Sequence, residues 1–255
     1  MLSLTLFSTL LLACSATASP LEPRATKINL NIDFSSYKVG TPYDEFLSSV
    51  GLYRSGYKVD STPLAHTFTP SNVAITSGGL RLKVTGQSGT GSVKSAEVGT
   101  VVDNILYGKI TTRAKAPSIG GVCSGFFFYQ SDSQETDIEL LSSYYTTGFG
   151  DAVPPGLELT NQAVKPGGKE TNAAVPYGFD PSAAYHDYTI EWTSRFTKFY
   201  VDGKLVKYFT SNVPTAPSSF LWNSWSSGDP FWSAGPPKAD AYTYISNISG
   251  YYYIA

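Results

Sequence analysis

Cysteine, histidine, methionine and charge are all scarce in this chain. Two cysteines, two histidines and one methionine occur in 255 residues, and Asp, Glu, Lys and Arg together make up 15%. Each shortage excludes something. Cys14 falls within a stretch that reads as a secretory signal. Leu2 to Leu12 is apolar but too short to cross a bilayer, and Ala16-Thr17-Ala18 follows as an A-x-A cleavage pattern, although no Lys or Arg precedes the run. Removing residues 1–18 leaves Cys123 alone, so the mature chain has no intramolecular disulfide. The apolar neighbours of Cys123, Val122 and Gly125 to Phe128, point to a buried, inert thiol. With only His66 and His186 as imidazoles, a zinc site is not expected. No cofactor is expected; carboxylates and carbonyls leave room for a structural calcium, but no calcium loop is recognisable.

Basic runs and charged tails are missing too, and the formal net charge is -2, which argues against nucleic acid and anionic membranes as partners. No later apolar run approaches membrane length. G-x-S-x-G is absent, so a serine nucleophile of that kind is not indicated. The glycine-rich Gly86 to Ser92 lacks the Lys-Ser/Thr ending of a phosphate-binding loop. No helix-period segment exceeds about three turns, and no internal repeat is present.

What is present is a succession of short strands. Ile28, Leu30, Ile32 and Phe34 alternate with polar residues, and Gly79 to Thr85 turns Leu80, Leu82 and Val84 to one side. Three strand-like segments follow closely: Ala96 to Val102, Tyr107 to Ala116 and Val122 to Gln130. Asp187 to Trp192, Thr197 to Val201 and Leu205 to Phe209 form another group, with Asp202-Gly203 the best type I′ hairpin turn. Phe220 to Trp225 and Tyr242 to Tyr253 complete the set. Tyr43 to Tyr53 reads equally as a short helix or an extended loop. Ser142 to Ala184, rich in Gly, Pro, Asn and Thr, reads as a long loop region. This pattern predicts an all-β, two-sheet antiparallel sandwich of the jelly-roll type. The expected organisation is a signal at 1–18, a pro-segment or extension at 19–26, and one domain at 27–255. About 235 residues can bury roughly 70–75% of their unfolded surface, enough for one core without cross-links. Trp192 is expected in that core, the protein is expected to be extracellular, and monomer is the default state. Asn247-Ile248-Ser249 is an N-glycosylation sequon that fits secretion.

The densest acid cluster is Glu135-Thr136-Asp137-Ile138-Glu139. On a strand, Glu135, Asp137 and Glu139 share one face while Thr136, Ile138 and Leu140 face a core. Three adjacent carboxylates repel one another, which is useful where one carboxyl must stay protonated and another ionised. Glycoside hydrolysis by paired carboxylates needs that arrangement. The Cα atoms of Glu135 and Glu139 lie about 13 Å apart on a flat strand, against carboxyl separations of roughly 5–5.5 Å for retaining and 6.5–9.5 Å for inverting enzymes. The acid face must therefore line the cleft of a curved sheet. The 18 Tyr and 4 Trp also permit stacking on sugar rings.

The acid strand resembles the E-x-D-x-E signature of glycoside hydrolase family 16, the laminarinase and lichenase-like enzymes. Tyr107-Gly108-Lys109 through Arg113-Ala114-Lys115 resembles the family's YG-x-x-x-x-R-x-K strand. Tyr185-His186-Asp187-Tyr188 through Glu191-Trp192, followed by Phe199 to Gly203, resembles its later hairpin. Asn223-Ser224-Trp225 with Gly228 resembles its N-x-W…G segment. The resemblance spans roughly Tyr107 to Trp232, with Thr136 where Ile is more usual and Gln134 where many members carry an acid. It implies a concanavalin-like jelly roll and a retaining β-glucanase acting on β-1,3- or mixed β-1,3/1,4-glucans. Glu135 is then the nucleophile, Glu139 the acid and base, and Asp137 the group that holds their protonation states apart. Polysaccharide contacts are expected from Trp225, Trp232, Tyr107, Arg113, Asn223 and His186. Trp225 and Trp232, beside Gly/Pro loops, read equally as sugar-stacking rings or as core and loop-bracing aromatics. Tyr107 and Arg113 are placed there by the resemblance alone, and His186 by itself reads as a hydrogen-bonded structural histidine. A transglycosylase with the same carboxylates and a lectin-like binding module are the alternatives. The expected cleft walls are Ser142 to Ala184 and Ser226 to Lys238.

Overall fold

The computed structural model describes residues 25–145, 147–150 and 152–255; the signal and most of the expected pro-segment lie outside them. The first strands are Thr26–Asp33 (β1), Leu52–Arg54 (β2), Lys58–Val59 (β3), His66–Phe68 (β4), Val73–Thr76 (β5) and Gly79–Val84 (β6). Next come Val93–Thr100 (β7), Ile105–Lys115 (β8), Cys123–Ser131 (β9), Gln134–Leu141 (β10), Leu157–Asn161 (β11) and Thr171–Val175 (β12). The last are His186–Trp192 (β13), Thr197–Val201 (β14), Lys204–Phe209 (β15), Ser219–Trp225 (β16) and Ala241–Ile254 (β17). One α-helix, Tyr43–Ser49 (α1), resolves the ambiguous segment near the N-terminus: it carries Asp44 and Glu45 in its first turn and buries Leu47.

The strands form the expected two-sheet jelly-roll sandwich. The back sheet runs β15-β14-β13-β8-β17-β6-β5, with β1 also on β17. The front sheet runs β12-β11-β10-β9-β16-β7-β4-β3, with β2 also on β7. Pairing is antiparallel except between β4 and β7. The core between the sheets is aromatic: Trp192, Trp222, Tyr188, Phe126, Phe128, Phe199 and Phe220 are all under 2% exposed. The indole N–H groups are not left bare. Trp192 Nε1 donates to the Pro214 carbonyl at 2.9 Å and Trp222 Nε1 to Thr112 Oγ1 at 2.8 Å, so two large apolar surfaces are buried without orphaned donors.

Two sequence expectations change. Ser142 to Ala184 is not one loop, because it contains β11 and β12. Leu157-Glu158-Leu159-Thr160 does alternate, but the run is only five residues long and is set among Gly and Pro; all five are buried, Glu158 and Thr160 included. β2 to β5 were also not anticipated, being only two to four residues long, too short to show a period. The Asp202-Gly203 turn has φ of 48° and 76°, the positive pair that a type I′ hairpin requires.

Trp192→Ala removes the ring packed on Phe128 and Tyr107. It is expected to cost about 3–5 kcal/mol, read as a lower denaturant midpoint in equilibrium unfolding.

Candidate active site

The site is built on β10, an inner strand of the front sheet. Thr136, Ile138 and Leu140 are buried on its core side. Glu135, Asp137 and Glu139 point the other way, into a cleft of about 870 Å³. The strand begins after the tight Asp132-Ser133 turn, where the Tyr129 hydroxyl donates to Asp132 Oδ1 at 2.9 Å. Gln134 pairs with Ser131 but Glu135 with Tyr129, so Gln130 is an extra residue that sets the register of the acid face. Gln134 anchors the entry, its Oε1 accepting from the Thr215 and Ala216 amides at 2.7 and 3.0 Å. From there Asp137 lies between Phe127 and Thr160, and Glu139 between Gly125 and Glu158.

The cleft floor draws Phe127 and Tyr129 from β9, Leu221, Asn223 and Trp225 from β16, and Glu97 from β7. Both expected walls contribute, through Gln162, Glu170 and Asn172 on one side and Ser227, Asp229 and Trp232 on the other. A third wall, Tyr57 to His66, comes from the short strands that periodicity does not reveal. Eight lining residues are carboxylic acids (Asp60, Glu97, Asp132, Glu135, Asp137, Glu139, Glu170 and Asp229), and none of the described lining residues is Lys or Arg.

That imbalance governs the electrostatics. Burial, followed by the charge of Glu139, pushes Glu135 above the usual carboxylate range. Burial, then Glu135 and Glu139, raises Asp137 well above its range; only the neighbouring Thr160 hydroxyl favours its charged form. Neither buried oxygen of Asp137 has a close hydrogen-bond partner among the described residues. Glu139 is raised by burial, against the pull of Cys123 and Trp232 toward the ionised form. The three acids therefore act as one unit that retains protons beyond the pH at which free carboxyls lose them. Glu158, opposite Glu139, is pushed up to about 7 by burial and by the Glu139 charge. Glu97 is raised mainly by burial, although Ser55 Oγ and the Tyr57 hydroxyl donate to its Oε1 at 2.6 and 3.0 Å.

The structure brings together Glu135, Asp137, Glu139, Asn223, Trp225 and Trp232. Asn223 Oδ1 accepts from the Gly125 amide at 3.1 Å, fixing the side chain on the floor. Trp225 is backed by His66, whose ring stacks on it at 4.9 Å. Burial holds His66 neutral, with its pKa lowered to about 4. Tyr107, Arg113 and His186 are elsewhere. They lie on β8 and β13 in the back sheet, with the core between them and the acids. Tyr107 packs edge-on against Trp192 at 5.0 Å, Arg113 pairs with Asp187 at 3.1 Å, and His186 bonds Asp202 Oδ2 at 2.8 Å while stacking on Phe179. Their expected place beside the substrate is corrected: neighbouring sequence motifs sit on opposite sheets. Asn247 is on β17, and its Nδ2 donates to the Ile32 carbonyl at 3.0 Å and Asn31 Oδ1 at 3.3 Å. A glycan on that nitrogen replaces one of its two hydrogens and so removes at least one of these bonds.

Sequence reasoning missed Glu97, Glu158, Thr160, Gln162 and His66. The available signal for Glu97 was a lone acid in β7, whose residues after Lys94 are otherwise uncharged. Cys123 is fully buried, as expected, yet it is not mere filler, because its thiol donates to Glu139 Oε1 at 3.0 Å.

A family model described as "Glycosyl hydrolases family 16" matches residues 61–242. A beta-glucanase of Bacillus amyloliquefaciens is 28% identical over 202 residues, covering 72% of this chain and 74% of that protein. One of Acetivibrio thermocellus is 32% identical over 170 residues, covering 61% and 45% respectively. Among solved structures, a Bacillus licheniformis beta-glucanase superposes with a TM-score of 0.69 at 23% identity, covering 89% of this chain and 98% of its own. A Crh5 transglycosylase superposes with a TM-score of 0.54 at 21% identity, covering 80% and 85%.

A buried acid whose folded pKa is raised costs stability as pH climbs from the unfolded value toward the folded one. Asp137→Asn removes that cost. The variant is expected to melt a few degrees above wild type at pH 8, at roughly 2–4 °C per kcal/mol, and to lose the advantage near pH 4. Scanning calorimetry at the two pH values checks it.

Proposed function

The chain belongs to glycosyl hydrolases family 16 and is a glycoside hydrolase, and from that premise we propose a secreted, retaining endo-β-glucanase acting on β-1,3- or mixed β-1,3/1,4-linked glucans. The observation that carries this reading is the acid face of β10 in the floor of a cleft lined by eight carboxylic acids and no described cation. Uncharged sugars offer hydroxyl donors to such a surface, whereas sulfated or uronic polymers bring like charge into it. The beta-glucanase relatives support the same substrate class. The cleft lining runs across the front sheet, from β3 and β4 at one edge to β12 at the other, which suits attack within a chain rather than at its end.

Glu135, ionised, attacks the anomeric carbon while Glu139 gives its proton to the departing glycosidic oxygen. The C–O bond breaks and a glycosyl ester forms on Glu135. Glu139, now a base, takes a proton from water; the water oxygen bonds to the anomeric carbon and releases Glu135. Asp137 lies between them on the same strand face and, kept protonated by burial and by both neighbours, adds no third charge. Trp225 and Trp232 offer flat faces to sugar rings, and Asn223 and Glu97 offer hydrogen-bonding groups to their hydroxyls. Where a sugar hydroxyl replaces water in the second half, the same residues perform transglycosylation.

Reducing-sugar release is measured on laminarin, lichenan, cellulose, xyloglucan and galactan. Laminarin or lichenan is expected to be cut, with the product anomer retained when followed by NMR. Glu135→Gln is expected to lower kcat by at least about a thousandfold. Release that survives the substitution overturns the assignment of Glu135. Chain-lengthened products with an added acceptor oligosaccharide replace hydrolysis by transfer.

A further inference from the structure

Cys123 occupies a diagonal of the β9–β10 ladder. Glu139 pairs with Gly125, and Leu141 with Cys123, so the cysteine lies two residues along β9 on the same face as Glu139. Gly125 contributes no side chain between them. The thiol is fully buried under Trp225 and Trp232, and its Sγ donates to Glu139 Oε1 at 3.0 Å. The thiol thereby fills a lone-pair direction on one of the two carboxyl oxygens.

We propose that Cys123 is a positioning residue for Glu139: its thiol fixes Oε1 and leaves Oε2 as the oxygen that exchanges a proton with the leaving group. The proposal rests on the reading of Glu139 as the acid and base. A carboxyl free to rotate about its terminal bond presents either oxygen in any orientation. One held on Oε1 presents a single oxygen in a fixed direction, which is what in-line proton delivery needs. The cysteine is suited to this because it stays a donor. Burial and the charges of Glu139 and Asp137 hold its pKa well above the usual thiol range. The other groups acting on Glu139 are Glu135 and Asp137 on its own strand, Glu158 opposite on β11, and Trp232 and Asp229 from the following loop. With no described Lys or Arg lining the cleft, the Cys123 and Trp232 donors are what favour the ionised form of Glu139.

The test compares wild type with Cys123→Ala, Cys123→Ser and Glu139→Gln on two substrates. One is the glucan. The other is a dinitrophenyl oligoglucoside, whose leaving group needs no proton. For Cys123→Ala, kcat/KM on glucan is expected to fall about five- to tenfold, the scale of one hydrogen bond, with less than about a twofold change on the dinitrophenyl substrate. Losing the donor disfavours the charged carboxyl, so the alkaline limb of its pH profile is expected to move upward by about half a unit. Cys123→Ser, which keeps a donor, is expected to restore both rate and profile. Equal losses on both substrates, an alanine variant indistinguishable from wild type, or a serine variant no better than alanine would each overturn the proposal. Glu139→Gln separates the two levels. If it is inactive on glucan but releases a burst of dinitrophenol as the glycosyl-enzyme forms and then stalls, the acid and base assignment stands and the cysteine is judged alone. If it keeps full glucan activity, the assignment of Glu139 falls, and the proposal with it.

Discussion

Everything at this site depends on the clamping of β10 between β9 and β11. A strand paired on both sides has no freedom to splay its side chains apart by bending its backbone, so Glu135, Asp137 and Glu139 must occupy one face at strand spacing. No cation lies among the described cleft residues to neutralise them. The repulsion is relieved by protons instead, and a cluster that retains protons is what alternating acid and base chemistry requires. The backbone hydrogen bonds of three adjacent strands thus hold a charge distribution that three free carboxylates would not adopt.

The surroundings sharpen this. Glu158 adds a fourth carboxyl directly opposite Glu139, with one oxygen unpartnered, while Cys123 and Trp232 pull in the opposite sense. Glu97 is held by Ser55 and Tyr57 at another part of the cleft. None of these buried acids improves the stability of the fold. They are tolerated because the aromatic core between the sheets is large and its indole donors are satisfied.

Much of this was readable in advance, for physical reasons that also mark the limit. Strands with one buried face show alternation, so β1, β6, β8 and β10 were visible, and the Asp202-Gly203 turn was legible from its backbone requirement. The acid face followed from the same period of two. β11 was hidden because its Leu-Glu-Leu-Thr alternation lasts only five residues inside a Gly- and Pro-rich stretch, and β2 to β5 because two to four residues cannot display a period. Sheet membership was not legible at all. Arg113 precedes the acid strand by little more than twenty residues, yet between Lys115 and Cys123 the chain crosses from the back sheet to the front. Nor does an apolar neighbourhood disclose that a cysteine points diagonally at the Glu139 carboxyl; that needs the register.

β17 carries a consequence of a different kind. It follows every other strand in the chain, yet it lies inside the back sheet, pairing with β8 on one side and with β6 and β1 on the other. Thr26 meets Ile254 across that seam. Until β17 inserts, β8 and β6 each present an unpaired edge and the back sheet is split in two. The nascent chain therefore passes through a stage in which most of its strands exist but its core has only one complete wall. Contacts of such long sequence separation make folding slow, and open strand edges invite pairing between molecules in the meantime.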